Sequence, residues 1–246
     1  MQKNRIKLEF LVHDLKVPLA VIEAGISSLL QKQDKYGELS EKQLRVLQRA
    51  LRNTIVIQRL VNDVLELGRS SEGVVNKTSF PVAEFVEAAL VEIFDLTDHD
   101  TTERIRECRD LQALQSTLVQ KGVYLDVIHG LWLKEVCLDE SKTRQILRNL
   151  LNNALKYRKD RLDIKIYEEG RSLCISVKDD GEGIPSTFHQ KIFECYFQMD
   201  ARSSHCVRGH GLGLAGVLVL LEDMGGSLVL DSDVGKGARF CVKIPF

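Results

Sequence analysis

A chain of 246 residues has room for one large or two ordinary domains, at roughly 100 to 200 residues each. Its 44% hydrophobic and 28% charged content is that of a folded globular protein, and a formal net charge of −1 excludes a nucleic-acid binder that relies on a strong positive field. No apolar run approaches the ~18 to 20 residues that span a bilayer, and the start lacks a signal-peptide core, so the expected setting is the cytosol, either free or as the cytoplasmic part of a longer membrane-bound sensor.

In chain order, the first predicted element is a helix from about Gln2 to Lys32. Leu8, Leu11, Leu15, Leu19, Ile22, Ile26 and Leu29 recur at helical spacing and mark the face to be buried. His13 lies off that stripe, next to Asp14. With an ordinary pKa of about 6.5, a solvent-facing imidazole is mostly neutral at cell pH and therefore nucleophilic. Asp14 can hold or accept its proton. Pro18 removes one backbone donor and loosens the turn that carries His13. Taken alone, these residues also describe a surface histidine on a bundle helix.

The polar stretch 33–38 ends that helix, and a second begins at once. Ser40 is placed as N-cap with Gln43 three residues on, and Leu39 and Leu44 are spaced as a hydrophobic staple. The stripe Leu44, Leu47, Leu51, Ile55, Val61, Val64, Leu65 continues to Gly68. Two such helices form an antiparallel hairpin that covers only part of its apolar surface, and pairing two hairpins into a four-helix bundle predicts a homodimer. The expected division is a hairpin over 1–70, a linker over 71–79 and a second domain over 80–246.

Past the linker, helices and strands alternate. Pro81 to Phe94 reads as a helix with proline in its first turn. The segments 122–128, 133–138, 162–167, 173–177, 227–230 and 239–244 read as strands. Asp95 to Gln120 is charged and helix-prone, with no role assigned by its pattern. This order predicts an α/β sandwich with helices on one face of a mostly antiparallel sheet. Six scattered cysteines without a CxxC pair read as reduced thiols.

Three constellations in this half carry chemistry. Asn149, Asn153 and Lys156 fall at i, i+4 and i+7, on one helix face, with Leu147, Leu150, Leu151 and Leu155 on another. Two amides and an ammonium suit a hydrated Mg²⁺ with a polyphosphate, or else simply form a polar face. Asp179, Gly181 and Gly183 follow a strand. An acid there can accept a hydrogen bond from an exocyclic amine beside a glycine-lined approach, although D-x-G-x-G is also an ordinary turn. Gly209, Gly211, Leu212 and Gly213 lead into an apolar helix whose first amides can bind phosphate. One GxGxG is a weak signal; the ordered set of three is a strong one.

Together these stretches resemble the catalytic core of two-component sensor histidine kinases, a dimerisation and histidine-phosphotransfer hairpin followed by a Bergerat-type ATPase domain. The likeness spans Leu8 to Phe246 except Asp95 to Gln120, which is longer than the family usually allows. His13 sits at the phosphoacceptor of the H-box. Asn149, Asn153, Lys156 and Tyr157 match the N-box, and Asp179, Gly181 and Gly183 the G1 box. Phe193 and Phe197 match the F-box, and Gly209, Gly211 and Gly213 the G2 box. Gly235 and Gly237 match the glycines before the last strand.

The resemblance implies ATP as donor, Asp179 on the adenine amine, Asn153 as the Mg²⁺ ligand and Asp14 as general base. It further implies autophosphorylation of His13, transfer to an aspartate of a response-regulator receiver domain, and control by a sensor domain or sensor protein outside this chain. Two departures stand out. Val17 occupies the position where relatives that also dephosphorylate their regulator carry Thr or Asn, and Gln198 follows the F-box where many carry Arg, leaving Arg202 or Arg208 to meet the γ-phosphate.

The expected ATP lid, 186–208, holds Cys195, His205 and Cys206, with His210 beyond. Their irregular spacing argues against a metal site. The alternative from another class is a nucleotide-binding dimeric scaffold without kinase turnover. Intact His13, Asn153, Asp179 and G2 glycines weigh against it, and a plain ATPase has no need of His13.

Overall fold

The computed structural model describes residues 2–70, 74–95, 98–128, 130–194 and 213–246, with the side chains of 2–14, 56, 59, 60 and 62–70 left out. The chain divides into two compact units, Met1–Glu72 and Gly73–Phe246.

The first unit is a helical hairpin of α1 (Gln2–Gln31) and α3 (Glu41–Ser70), joined through a single turn α2 (Gln33–Tyr36). The sequence predicted no helix in that connection; Gln33 to Tyr36 coil once before Gly37 turns the chain at φ +93°. The capping box at the start of α3 is formed. The Ser40 N–H donates to Gln43 Oε1 at 2.9 Å and the Gln43 N–H to Ser40 Oγ at 3.4 Å, an arrangement worth about 1 kcal/mol. Leu19 and Val61 are buried between the helices, and Gln58 Nε2 donates to Glu23 Oε2 at 2.7 Å. Helix α1 runs on through Pro18. Of the predicted stripe, Leu19 is buried, but Leu15 is 49% and Ile22 48% exposed. A two-helix hairpin has too little facing surface to cover them.

The second unit begins with β1 (Thr78–Pro81), which pairs antiparallel with β3 (Glu135–Leu138) in a small sheet of its own. Pro81, predicted inside the first helical turn, instead closes β1 in extended conformation and the helix α4 (Val82–Phe94) starts after it. Two of the open N–H groups at that start, on Val82 and Ala83, donate to the carbonyls of Lys134 and Trp132.

The main sheet has the order β2-β4-β5-β7-β6, formed by β2 (Val123–Val127), β4 (Leu162–Glu169), β5 (Ser172–Asp179), β6 (Ser227–Ser232) and β7 (Ala238–Pro245). Only β2 and β4 run parallel, which agrees with a mostly antiparallel sheet. Helix α7 (Glu140–Tyr157) packs on β5, α4 and α8 (Gly213–Asp223). Leu173, Ile175 and Val177 of β5 and Ile146, Leu147 and Leu150 of α7 are fully buried and form the centre of the core. Lys142 of α7 pairs with Asp223 of α8 at 2.6 Å with both side chains nearly buried.

The stretch 95–120, unassigned by sequence, holds α5 (His99–Arg106) and α6 (Leu111–Val119), capped by Asp98 and Asp110. Ile105, Leu114 and Leu118 join the core. Gln115 Nε2 donates to the Leu125 carbonyl at 2.8 Å, so α6 covers the open edge of β2.

Asp98 is bound by Lys121 and by the side chain and N–H of Thr101, which together hold its pKa at about 2 rather than 3.8. A lowered carboxyl pKa gives stability that is present above the unfolded value and lost as pH falls through the folded one. Asp98→Asn is therefore expected to unfold at a lower temperature than wild type at neutral pH and to converge with it as pH falls from 3.8 toward about 2. Thermal melts over that range check this, and a gap that persists at the acid end refutes it.

Candidate functional site

Helix α7 exists where it does because Asp139, nearly buried at its N-cap, accepts from the Lys142 N–H at 3.1 Å while its other oxygen accepts from the Asn76 N–H at 2.9 Å. From that start the 3.6-residue period turns Leu147, Leu150 and Leu151 into the core and leaves Asn149 and Asn153 half-buried on another side. Asn149 Nδ2 donates to the Gly213 carbonyl at 3.3 Å, tying the middle of α7 to the first residue of α8. Asn153 has no side-chain hydrogen bond among the described residues, so its amide oxygen is available. Lys156 Nζ donates to the hydroxyl of exposed Tyr157 at 2.9 Å and lies 4.6 Å from that ring's centre.

Asp179 ends β5 and is 5% exposed. Its Oδ1 accepts from the N–H of Gly181 at 2.9 Å and of Ala238 at 3.2 Å. Oδ2 accepts from no other described residue. Burial pushes the carboxyl pKa up, and the two backbone donors from Gly181 and Ala238 hold it back. A buried carboxylate with one oxygen clamped and the other open is a single, fixed acceptor, the partner that a donating exocyclic amine requires.

The glycines after Asp179 have a packing task within the protein that the sequence did not suggest. A Cβ at Gly181 would stand 2.3 Å from the Tyr157 carbonyl oxygen. Gly183, at φ +74°, would place one 1.9 Å from the Asp233 carbonyl oxygen. Both let protein backbone pack against the turn. Sequence reasoning missed the residues that hold it from behind. Ser232 Oγ accepts from the Ile184 N–H at 2.8 Å and donates to the Gly237 carbonyl at 2.7 Å. A serine at a strand end carries no signal of such a role.

Gly213 is the first residue of α8, whereas Gly209, Gly211 and Leu212 lie outside the described residues. So do Cys195, Phe197, Gln198, Arg202, His205, Cys206, Arg208, His210 and His129. Phe193 closes a short 3₁₀ turn, Lys191–Phe193. His189 meets the Ile184 carbonyl at 2.9 Å through Nε2, a structural contact, and Trp132 is buried in the core. Among the described residues no group of His, Cys, Asp or Glu could hold a metal, and Cys108, Cys137, Cys174 and Cys241 are free thiols. In the first unit, α1 carries His13 and Asp14, whose side chains lie outside those described; Val17, one turn on, is 54% exposed.

The comparisons with known proteins divide in the same way. The His Kinase A (phospho-acceptor) domain matches residues 8–73, and the histidine kinase-, DNA gyrase B- and HSP90-like ATPase family matches residues 138–246. The chain carries the two domains of a two-component histidine kinase catalytic core, in that order. It is 27% identical over 251 residues to the sensor histidine kinase WalK of Bacillus subtilis, covering 100% of this chain and 37% of that one. It is 30% identical over 248 residues to the circadian input-output histidine kinase CikA of Synechococcus elongatus, covering 98% and 30%. The chain thus spans about a third of the length of those relatives. The crystal structure of full-length ShkA in complex with AMPPNP superposes with a TM-score of 0.68 at 26% identity, over 98% of this chain and 45% of that one. No helix among the described residues of this kinase core is long and apolar enough to cross a membrane.

Proposed function

We propose that the chain phosphorylates itself on His13 from ATP and passes the phosphoryl group to an aspartate of a response-regulator receiver domain. The observation that carries this reading is one chain joining a phospho-acceptor hairpin that contains His13 to an ATPase-type unit in which Asp179 keeps one buried carboxylate oxygen open.

In this reading Asp179 Oδ2 accepts from the adenine amine. Asn149 anchors the start of α8, where the N–H groups of Gly209, Gly211, Leu212 and Gly213 meet phosphate oxygens. Lys156 and Tyr157 border the phosphates, and Asn153 offers the amide oxygen that would hold Mg²⁺. Bound there, the ion neutralises charge on the phosphates. A neutral ring nitrogen of His13 attacks the γ-phosphorus, forming an N–P bond as the P–O bond to ADP breaks. The proton on the other ring nitrogen passes to the Asp14 carboxylate. An aspartate oxygen of the receiver domain then takes the phosphoryl group as the N–P bond breaks. The exposed Leu15 and Ile22 support a homodimer in which a second hairpin completes a four-helix bundle. In this reading the hairpin unit Met1–Glu72 does the phosphotransfer and the unit Gly73–Phe246 binds ATP, with β1 from Thr78 already part of the second unit rather than of the expected linker 71–79. Incubation with γ-labelled ATP tests the reading: an acid-labile label on the chain is expected, and label released only as free phosphate would mark a plain ATPase.

Val17 sets the direction of the reaction. Hydrolysis of an aspartyl phosphate needs a water held in line, and one helical turn beyond His13 this chain offers exposed methyl groups where a hydroxyl or amide would hold it. The kinase is expected to dominate, with Val17→Thr or Val17→Asn gaining phosphatase activity. Decay of purified phospho-regulator with this protein and ADP checks it. Rapid dephosphorylation by wild type that persists in His13→Ala sinks the idea.

A further inference from the structure

Helices α5 and α6 belong to none of the motifs above, yet their end is built into the turn that carries Asp179. Arg158, the residue after Tyr157, donates through Nη2 to the Lys121 carbonyl at 2.9 Å and through Nη1 to the Gly122 carbonyl at 3.2 Å. These carbonyls lie between the end of α6 and the start of β2, where the Gly122 carbonyl also accepts from the Leu162 N–H at 2.9 Å. Asp180, between Asp179 and Gly181, accepts from the N–H of Lys159 at 2.8 Å and of Asp160 at 3.2 Å.

The same three segments meet backbone to backbone. A Cβ at Gly122 would stand 2.2 Å from the Asp160 carbonyl oxygen, and the carbonyl of Tyr157 fills the space beside Gly181. Residues 121–122, 157–161 and 179–181 therefore form one packed junction. Burial draws the Arg158 pKa down while Asp180 and Asp160 push it up, and the guanidinium stays charged. Burial raises the Asp180 carboxyl, and the N–H groups of Arg161, Lys159 and Asp160 together bring it below its ordinary value. At the far end of the insert, Asp98 caps α5 and pairs with Lys121 at 2.5 Å, which ties the start of α5 to the end of α6.

We infer that Arg158 is a positioning residue: by gripping the end of α6 it makes the placement of the Asp179–Gly181 turn, and with it nucleotide affinity, depend on helices α5 and α6. This rests on the reading that Asp179 receives the adenine of ATP. Displacement of α6 moves the Lys121 and Gly122 carbonyls, Arg158 follows them, and the 157–161 backbone shifts the donors on Asp180 and the carbonyl against which Gly181 packs. The insert is thereby a handle through which binding to its outer surface can tune the site.

The test is titration of the full chain with a non-hydrolysable ATP analogue and Mg²⁺, alongside the phosphorylation rate at saturating ATP. Arg158→Met is expected to weaken analogue binding by about five- to tenfold, the lower range for coupled sites, and to leave the saturated rate unchanged. Arg158→Lys, which keeps the charge and a donor, recovers most of the affinity. Asp98→Ala, remote from the nucleotide, weakens binding when Arg158 is present and has no added effect in Arg158→Met.

A lower melting temperature with wild-type affinity in Arg158→Met would show a helix cap and nothing more. Additive effects of Asp98→Ala and Arg158→Met also overturn the inference. Should Arg158→Met not fold, Asp98→Ala alone decides, and unchanged affinity there counts against the coupling. Failure of wild type to bind the analogue is a separate result that removes the ATP reading itself.

Discussion

Replacing His13 by Ala is expected to reduce phosphorylation of the chain to background while leaving affinity for ATP within about twofold of wild type. The reason is that acceptor and nucleotide site lie in different compact units of the chain, and substitutions at independent sites act independently. Autoradiography after incubation with γ-labelled ATP reads the first quantity, and titration with a non-hydrolysable analogue the second. Residual acid-labile label in His13→Ala would move the acceptor to another histidine. Loss of analogue binding would mean that the hairpin supplies part of the nucleotide site.

Asp179→Asn is the second large effect, and it separates binding from stability. The amide oxygen can still accept from the Gly181 and Ala238 N–H groups, so the turn keeps its anchor. The open position then presents NH₂ in place of O⁻, a donor facing the donor of the adenine amine. Losing a charged acceptor and opposing two donors is expected to cost about 3 kcal/mol, or more than a hundredfold in affinity.

Stability should move the other way. Burial raises the Asp179 carboxyl pKa, so the wild-type residue contributes stability below its unfolded pKa and loses it as pH rises through the folded one. The variant has no such titration. Melting temperatures of Asp179→Asn are expected to match or exceed those of wild type at neutral pH, with the advantage shrinking toward acid. A variant that binds the analogue normally would remove Asp179 from the site, and one that is destabilised equally at every pH would show that the carboxylate is needed for the turn itself.

The candidate site was legible in unequal parts. Asn149, Asn153 and Lys156 could be placed on one helix because their spacing is a property of the helix alone. That Asn149 spends its amide on Gly213, and that Asn153 keeps its own free among the described residues, depends on where α8 arrives, 64 residues after Asn149. Asp179 was visible as an acid at a strand end. The division of its two oxygens was not, because one of the two donors is Ala238, on a strand that pairs with β5 only in the folded sheet.

By itself the sequence determined the two long helices, the capping box at Ser40, the strands of the main sheet and the order of the motifs. All of these rest on interactions within a few residues, where apolar periodicity and cap chemistry act directly. Only the tertiary structure decided that β1 and β3 form a sheet apart, that α6 covers the β2 edge, and that Asp180 and Ser232 bond the backbone that braces the turn around Asp179. The physical reason is common to all three. Each depends on backbone groups left open by one element and satisfied by another far along the chain, and local pattern carries no record of which donor will reach them.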